Sequence, residues 1–164
     1  MKILLINYEY PPYGGGAGTA TEYIATELAR MGHKVSVLTG GNDQLLESGN
    51  ELSIVDVIRV GSFRKRKDRS NIFEMISFCL KACLAVMRKE YQTFAVSISF
   101  FVLPTAAVSW ILRRRWGVPY VTSLRGGDVP GCETSLTALH RVLRPLRRTI
   151  YRDSKAVTAN SEEL

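Results

Sequence analysis

Two short stretches hold the residues with most scope for chemistry. The first is Tyr8-Glu9-Tyr10-Pro11-Pro12-Tyr13-Gly14-Gly15-Gly16-Ala17-Gly18-Thr19. Without a Cβ, Gly14, Gly15, Gly16 and Gly18 let the backbone come close to a ligand, and N–H groups at a helix start attract a phosphate or another anion. The second is Ser123-Leu124-Arg125-Gly126-Gly127-Asp128-Val129-Pro130-Gly131. Here Arg125 can contact an anion, the paired glycines allow close approach, and the Asp128 carboxylate can accept from a hydroxyl. That combination suits a sugar or a phosphate. Residue types alone leave plainer alternatives open: a glycine loop with no ligand, and an Arg125–Asp128 pair that merely closes a turn.

Spacing narrows the chemistry. The glycines after position 14 do not fall in the G-x-G-x-x-G register of dinucleotide sites. Such a site also wants an acidic residue at the end of the second strand, and the run Lys34 to Thr39 passes into Gly40-Gly41-Asn42 before Asp43. A nicotinamide dehydrogenase is therefore disfavoured. Cys79, Cys83 and Cys132 make neither an even disulfide set nor a metal spacing with the distant His33 and His140, which fits a reducing cytoplasm.

The elements that must position these loops follow from hydrophobic periodicity. Runs Lys2–Asn7, Lys34–Thr39, Ile54–Val60, Phe94–Ser99, Pro119–Leu124 and Ala156–Ala159 are short, apolar and bounded by turn residues, which predicts strands. Between the first two, Ala20, Ile24, Leu28 and Met31 recur at helical spacing, with Gly32 as a left-handed stop. The segment Asn71 to Lys89 is apolar around most of a helical wheel and predicts a deeply packed helix. Pro104 can open a further helix that runs to about Trp116, where Gly117 and Pro119 end it. From Leu136, Leu139, Leu143, Leu146 and Ile150 share one face and Arg141, Arg144, Arg148 and Arg152 the other, with Pro145 bending or splitting the helix. Strands alternating with helices predict an α/β fold: a doubly wound, mostly parallel sheet with right-handed crossovers. Both loops then lie at carboxyl ends of strands, where such sheets bind ligands. Gly40 to Leu52 and Arg64 to Arg69 are the expected loops.

Composition supports one globular domain, residues 1–164, with 46% hydrophobic and 23% charged residues. The N-terminus lacks the features of a signal peptide, and the apolar region Ile72 to Met87 is too short and too charged to span a membrane. The net charge of +7 gathers in Arg64-Lys65-Arg66-Lys67, Arg113-Arg114-Arg115 and the arginines between Arg141 and Arg152, so anionic partners are expected. Any one such run is also what a solvated face looks like. The basic runs carry no interleaved aromatics and no reader motif, so nucleic acid is not an expected partner.

Several stretches together resemble the family 4 retaining glycosyltransferases. They are Asn7-Tyr8-Glu9-Tyr10-Pro11-Pro12 with Gly14-Gly15-Gly16, then Glu27 through Val35, Leu124 through Gly131, and Val157-Thr158-Ala159-Asn160-Ser161-Glu162. The matches run in the family's order over nearly the whole chain and cover its N-terminal domain only. The resemblance implies a Rossmann-like half of a GT-B fold, whose C-terminal donor-binding domain is absent from this sequence. It further implies a nucleotide-sugar donor, retention of configuration, no required metal and no cofactor. Gly14, Gly15 and Gly16 would approach the donor phosphate and sugar; Glu9, Arg125, Gly126 and Asp128 would contact acceptor or sugar. Where many members carry a His after the fifth strand, this chain has Arg125, and where others carry His at the end of the fourth it has Ser97-Ile98-Ser99-Phe100-Phe101.

The function so implied is half of an enzyme of polysaccharide biosynthesis, moving a sugar to a glycan, lipid-linked or polysaccharide acceptor and inactive without its second half. It would be cytoplasmic, peripheral on an anionic membrane that the late basic helix could contact. The alternative is a non-catalytic module that docks anionic lipid or another anionic partner.

Overall fold

The structure, a computed structural model, describes residues 1–41, 54–61, 72–126 and 141–160. Six strands form one sheet: β1 Lys2–Ile6, β2 Lys34–Gly40, β3 Val55–Val60, β4 Val96–Phe100, β5 Tyr120–Ser123 and β6 Ala156–Thr158. Their spatial order is β3-β2-β1-β4-β5-β6, and every adjacent pair is parallel. The chain winds outward from β1 through β3, returns, and places β4 on the other side of β1. That reversal makes β1 and β4 the switch point of the sheet.

Alternation along β1 divides the core. Leu4 and Ile6 point to one face, where they meet Leu38, Phe78, Ala82 and Leu112. Ile3 and Leu5 point to the other, against Val35, Val37 and Ala25. Helix α1 (Gly16–Arg30) covers this second face, while α2 (Ile72–Val86) and α3 (Ala107–Trp116) cover the first. The predicted stops hold: Gly32 at φ +84° follows α1, and Gly117 at φ +75° caps α3 with its N–H on the Arg113 carbonyl at 2.8 Å.

Two helices differ from expectation. Phe78, Ala82 and Val86 of α2 are buried, but Phe73, Ile76, Leu80 and Leu84 are exposed, so the helix is not deeply packed. It lies on the outside of the sheet, where one face meets the core and no described element covers the other. The late basic helix is split, as Pro145 demands: residues 141–142 are helical, Leu143 breaks the run, and α4 spans Arg144–Asp153. Its apolar side is taken up by the core, with Ile150 fully buried and Leu146 packed beside Tyr120. Arg147 is buried as well, which the simple two-face pattern does not foresee. The expected loops at 42–52 and 64–69 lie outside the described residues, as do Cys132 and His140; Cys79 and Cys83 are free, half-buried thiols on α2.

Candidate functional site at the sheet switch point

Asn7, the residue after β1, sets the direction of everything that follows. It is fully buried, and its N–H continues the strand ladder to the Leu38 carbonyl at 3.1 Å. Its Nδ2 donates to Thr21 Oγ1 at 2.8 Å and to the Ala17 carbonyl at 3.3 Å, which ties the first turns of α1 to the end of β1. Its Oδ1 accepts the Glu9 N–H at 3.1 Å, the short-range turn that Asn side chains favour. Sequence reading quoted Asn7 without giving it this role; an Asn closing a buried strand before a turn was the available signal.

The loop itself is braced from a distance. Pro11–Pro12 is a cis peptide, and Tyr10 and Tyr13 form an antiparallel bridge, with the Tyr13 N–H on the Tyr10 carbonyl at 2.9 Å. Arg59, near the carboxyl end of β3, donates to the Pro11 carbonyl at 2.5 Å and to the Gly40 carbonyl at 3.2 Å. Its guanidinium sits 6.0 Å from the Tyr10 ring centre and 5.9 Å from that of Tyr13, within cation–π range. Burial, with Glu22 adding, raises the Tyr10 phenol above its ordinary pKa, and Arg59 opposes the shift.

Glycines here serve two different needs. Gly14 has φ +106°, and a Cβ on it would fall 2.6 Å from the Glu9 Cβ, so only glycine fits without movement. A Cβ on Gly15 or Gly16 would meet nothing within 4 Å. Those two face open space at the start of α1. The helix begins with Gly15 as an N-cap that offers no side-chain hydrogen bond, and its first turn has no acidic residue. Its positive end is therefore open to an anion, carrying roughly half a unit charge. The Glu9 carboxylate accepts the Gly15 N–H at 3.3 Å from just outside this end.

Across the switch point, β4 ends in an unusual turn. Phe101 has φ +77°, the one non-glycine with positive φ among the described residues. Thr105 Oγ1 secures it, donating to the Phe101 carbonyl at 2.8 Å and also to that of Phe100. Phe101 thereby stacks on Tyr8 with ring centres 5.2 Å apart, closing the floor between the β1 and β4 loops. Neither aromatic was singled out from sequence. Arg125 follows β5, its guanidinium 4.9 Å from the centre of the Phe100 ring, and Gly126 has φ +96°. Because β4 separates β1 from β5, the glycine loop and the Arg125 loop rise from strands about 10 Å apart, at the usual spacing of a sheet.

Of the residues expected at the site, the structure thus brings Glu9 against Gly14 and Gly15, and puts Arg125 and Gly126 two strands away at the same sheet edge. Gly127 and Asp128 lie outside the described residues. His33 sits at the opposite, amino end of the sheet, near the N-terminal amine. Among the described residues no group of three His, Cys, Asp or Glu side chains is placed to hold a metal ion. The arrangement can hold an anion on the α1 terminus with a polar ligand extending toward β5.

Comparison with known proteins bears on the fold and the family. Two solved structures of sucrose-phosphate synthase from Thermosynechococcus elongatus share the fold. One aligns with TM-score 0.69 and 17% identity over 96% of this chain and 41% of its own. The other aligns with TM-score 0.55 and 17% identity over 98% of this chain and 87% of its own. This chain thus spans well under half the length of the first. At such identity the likeness is one of fold, and it is the Rossmann-like, GT-B architecture expected from sequence. No curated protein matches. The family model of the glycosyl transferase 4-like domain matches residues 15–164, from the glycines that open α1 onward, and the chain therefore belongs to that glycosyltransferase family.

Proposed function

We propose that this chain is the N-terminal, acceptor-side half of a two-domain GT-B enzyme. It would transfer a sugar, with retention of configuration, from a nucleotide-sugar donor to a glycan, lipid-linked or polysaccharide acceptor. The observation that carries the reading is the start of α1 behind Gly15 and Gly16, which has no acidic residue in its own first turn and already holds the Glu9 carboxylate on the Gly15 N–H, at the switch point of a sheet in a glycosyltransferase-family chain. N–H groups there are pre-aimed at the charge that develops on a departing nucleoside diphosphate, which is the step such a helix end can accelerate. Donor binding would displace the Glu9 carboxylate from the Gly15 N–H, since both anions compete for one positive end. Arg125, at the same sheet edge two strands away, would contact an acceptor or sugar hydroxyl. No metal is assigned a part, and the reading places the enzyme in the cytoplasm, peripheral on a membrane.

The test uses this chain together with whatever its natural reading frame encodes after Leu164. Incubation with uridine, guanosine and adenosine diphosphate sugars and an oligosaccharide or lipid-linked acceptor should release nucleoside diphosphate only when acceptor is present. The product should keep the donor's anomeric configuration by NMR, and a chelator should leave the rate unchanged. Gly15→Ala, which fills the open space before α1, should lower kcat about tenfold or more while costing no more than about 1 kcal/mol of stability. An inverted product overturns retention, and the absence of sugar release with every donor class favours the non-catalytic binding module.

A further inference from the structure

Helix α2 carries an exposed apolar stripe that faces away from the core. Phe73, Ile76, Leu80, Leu84 and Met87 are 75%, 51%, 63%, 72% and 46% exposed. Their spacing of three, four, four and three residues aligns them in one row about 21 Å long, the full length of the helix and its exit. The opposite face, Phe78, Ala82 and Val86, is already committed to the core. Single exposed apolar residues are ordinary, but a continuous row of large ones on one helix marks a surface that meets something apolar.

Charge identifies the partner. Lys81, Arg88 and Lys89 are exposed on and just beyond the same helix. The Trp116 indole donates to the Val86 carbonyl at 2.9 Å, which brings the end of α3, with exposed Arg114 and Arg115, beside the end of α2. The acidic residues from Ile72 to Thr93, Glu74 and Glu90, are outnumbered. An apolar row rimmed by cations is the pattern of a helix that lies in the interface of an anionic bilayer. Fifteen residues are too few to cross one, and among the described residues no helix is long and apolar enough to do so.

We infer that the outer face of α2 docks this protein on an anionic lipid bilayer, with Leu80 and Leu84 entering the acyl boundary and the surrounding Lys and Arg side chains meeting the headgroups. This reassigns the membrane contact expected of the late basic helix, because α4 has its apolar side in the core and keeps only charge to offer. The inference rests on the peripheral membrane placement proposed above and not on sugar transfer, so flotation and the transfer assay can fail separately.

The experiment is flotation of the chain with vesicles of phosphatidylcholine alone and of phosphatidylcholine mixed with phosphatidylglycerol. The protein should float with the mixed vesicles, not with the neutral ones, and high salt should weaken the association. Leu80→Gln with Leu84→Gln, both on the exposed face, should keep the wild-type circular dichroism and melting and lower the lipid-bound fraction about tenfold at low salt. Arg144→Gln with Arg148→Gln on α4 should have a smaller effect than the leucine pair. The inference is overturned if the wild type does not float with anionic vesicles, or if the leucine variant floats as well as the wild type. It is also overturned if sedimentation shows a stable dimer that the leucine variant dissolves, since the stripe would then belong to a second copy.

Discussion

Replacing Gly14 by Ala tests the physical account of the glycine loop, because two separable effects act at that residue. With φ at +106°, an L side chain is strained whatever the space around it, at about 1–3 kcal/mol. The added Cβ would also sit 2.6 Å from the Glu9 Cβ and 3.0 Å from its Cγ. The Cβ of Glu9 is fixed by its own backbone, so the loop must shift, which costs about another 1–3 kcal/mol as an overpacked contact. Against this, Ala restricts the unfolded chain and returns about 0.4–1 kcal/mol. The net loss is about 1–6 kcal/mol, or a fall in Tm of about 2–22 °C for a chain of this size. Gly15→Ala is the internal control: φ is −103° and nothing lies within 4 Å of the new Cβ, so only the N-cap preference for Gly over Ala acts and its loss should stay within about 1 kcal/mol. Thermal and urea unfolding by circular dichroism measure both. In a Glu9→Gly background the contact share vanishes and the strain share stays, so the Gly14→Ala penalty should shrink by about 1–3 kcal/mol. Equal melting of the Gly14→Ala and Gly15→Ala proteins would refute the strain argument, and an unchanged penalty in the Glu9→Gly background would refute the contact argument.

Two further outcomes follow from buried groups. Asn7→Leu removes the amide that ties Thr21, Ala17 and Glu9 together and leaves the Glu9 N–H without its acceptor; it should destabilise by about 2–4 kcal/mol and speed hydrogen exchange at the Glu9 amide, and wild-type exchange there would count against the role given to Asn7. Tyr91 and Tyr120 are pushed up to about 12, by burial first and then by Glu90 and Asp153 respectively. Unfolded phenols lose their protons near pH ~10 and the folded ones hold theirs to about 12, so the folded state binds more protons across that window. Stability should therefore fall as pH rises through it, by up to about 1.4 kcal/mol per pH unit for each Tyr. Urea unfolding across this range should show the slope, and Tyr120→Phe should reduce it; a slope unchanged in that variant contradicts the assignment.

Local pattern was enough for the elements themselves. All six strands fall within about two residues of their apolar runs at each end, and Gly32, Gly117 and Pro145 stop or split helices because backbone freedom and a missing N–H act within one turn of chain. The loops able to bind an anion were legible for the same reason: glycines between a strand and a helix need no distant partner to be recognised. What the tertiary structure decided are pairings far apart in sequence. Arg59 reaches Pro11 across 48 residues, Tyr8 stacks on Phe101, and Phe101 can hold a positive φ because Thr105 and the surrounding turn secure its carbonyl. The face of α2 is the clearest case. A helix apolar nearly all round looks buried on every side, and only the order of strands and helices decides which side has a neighbour. Hydrophobic periodicity reports what a residue prefers, while burial depends on what the rest of the chain brings to it.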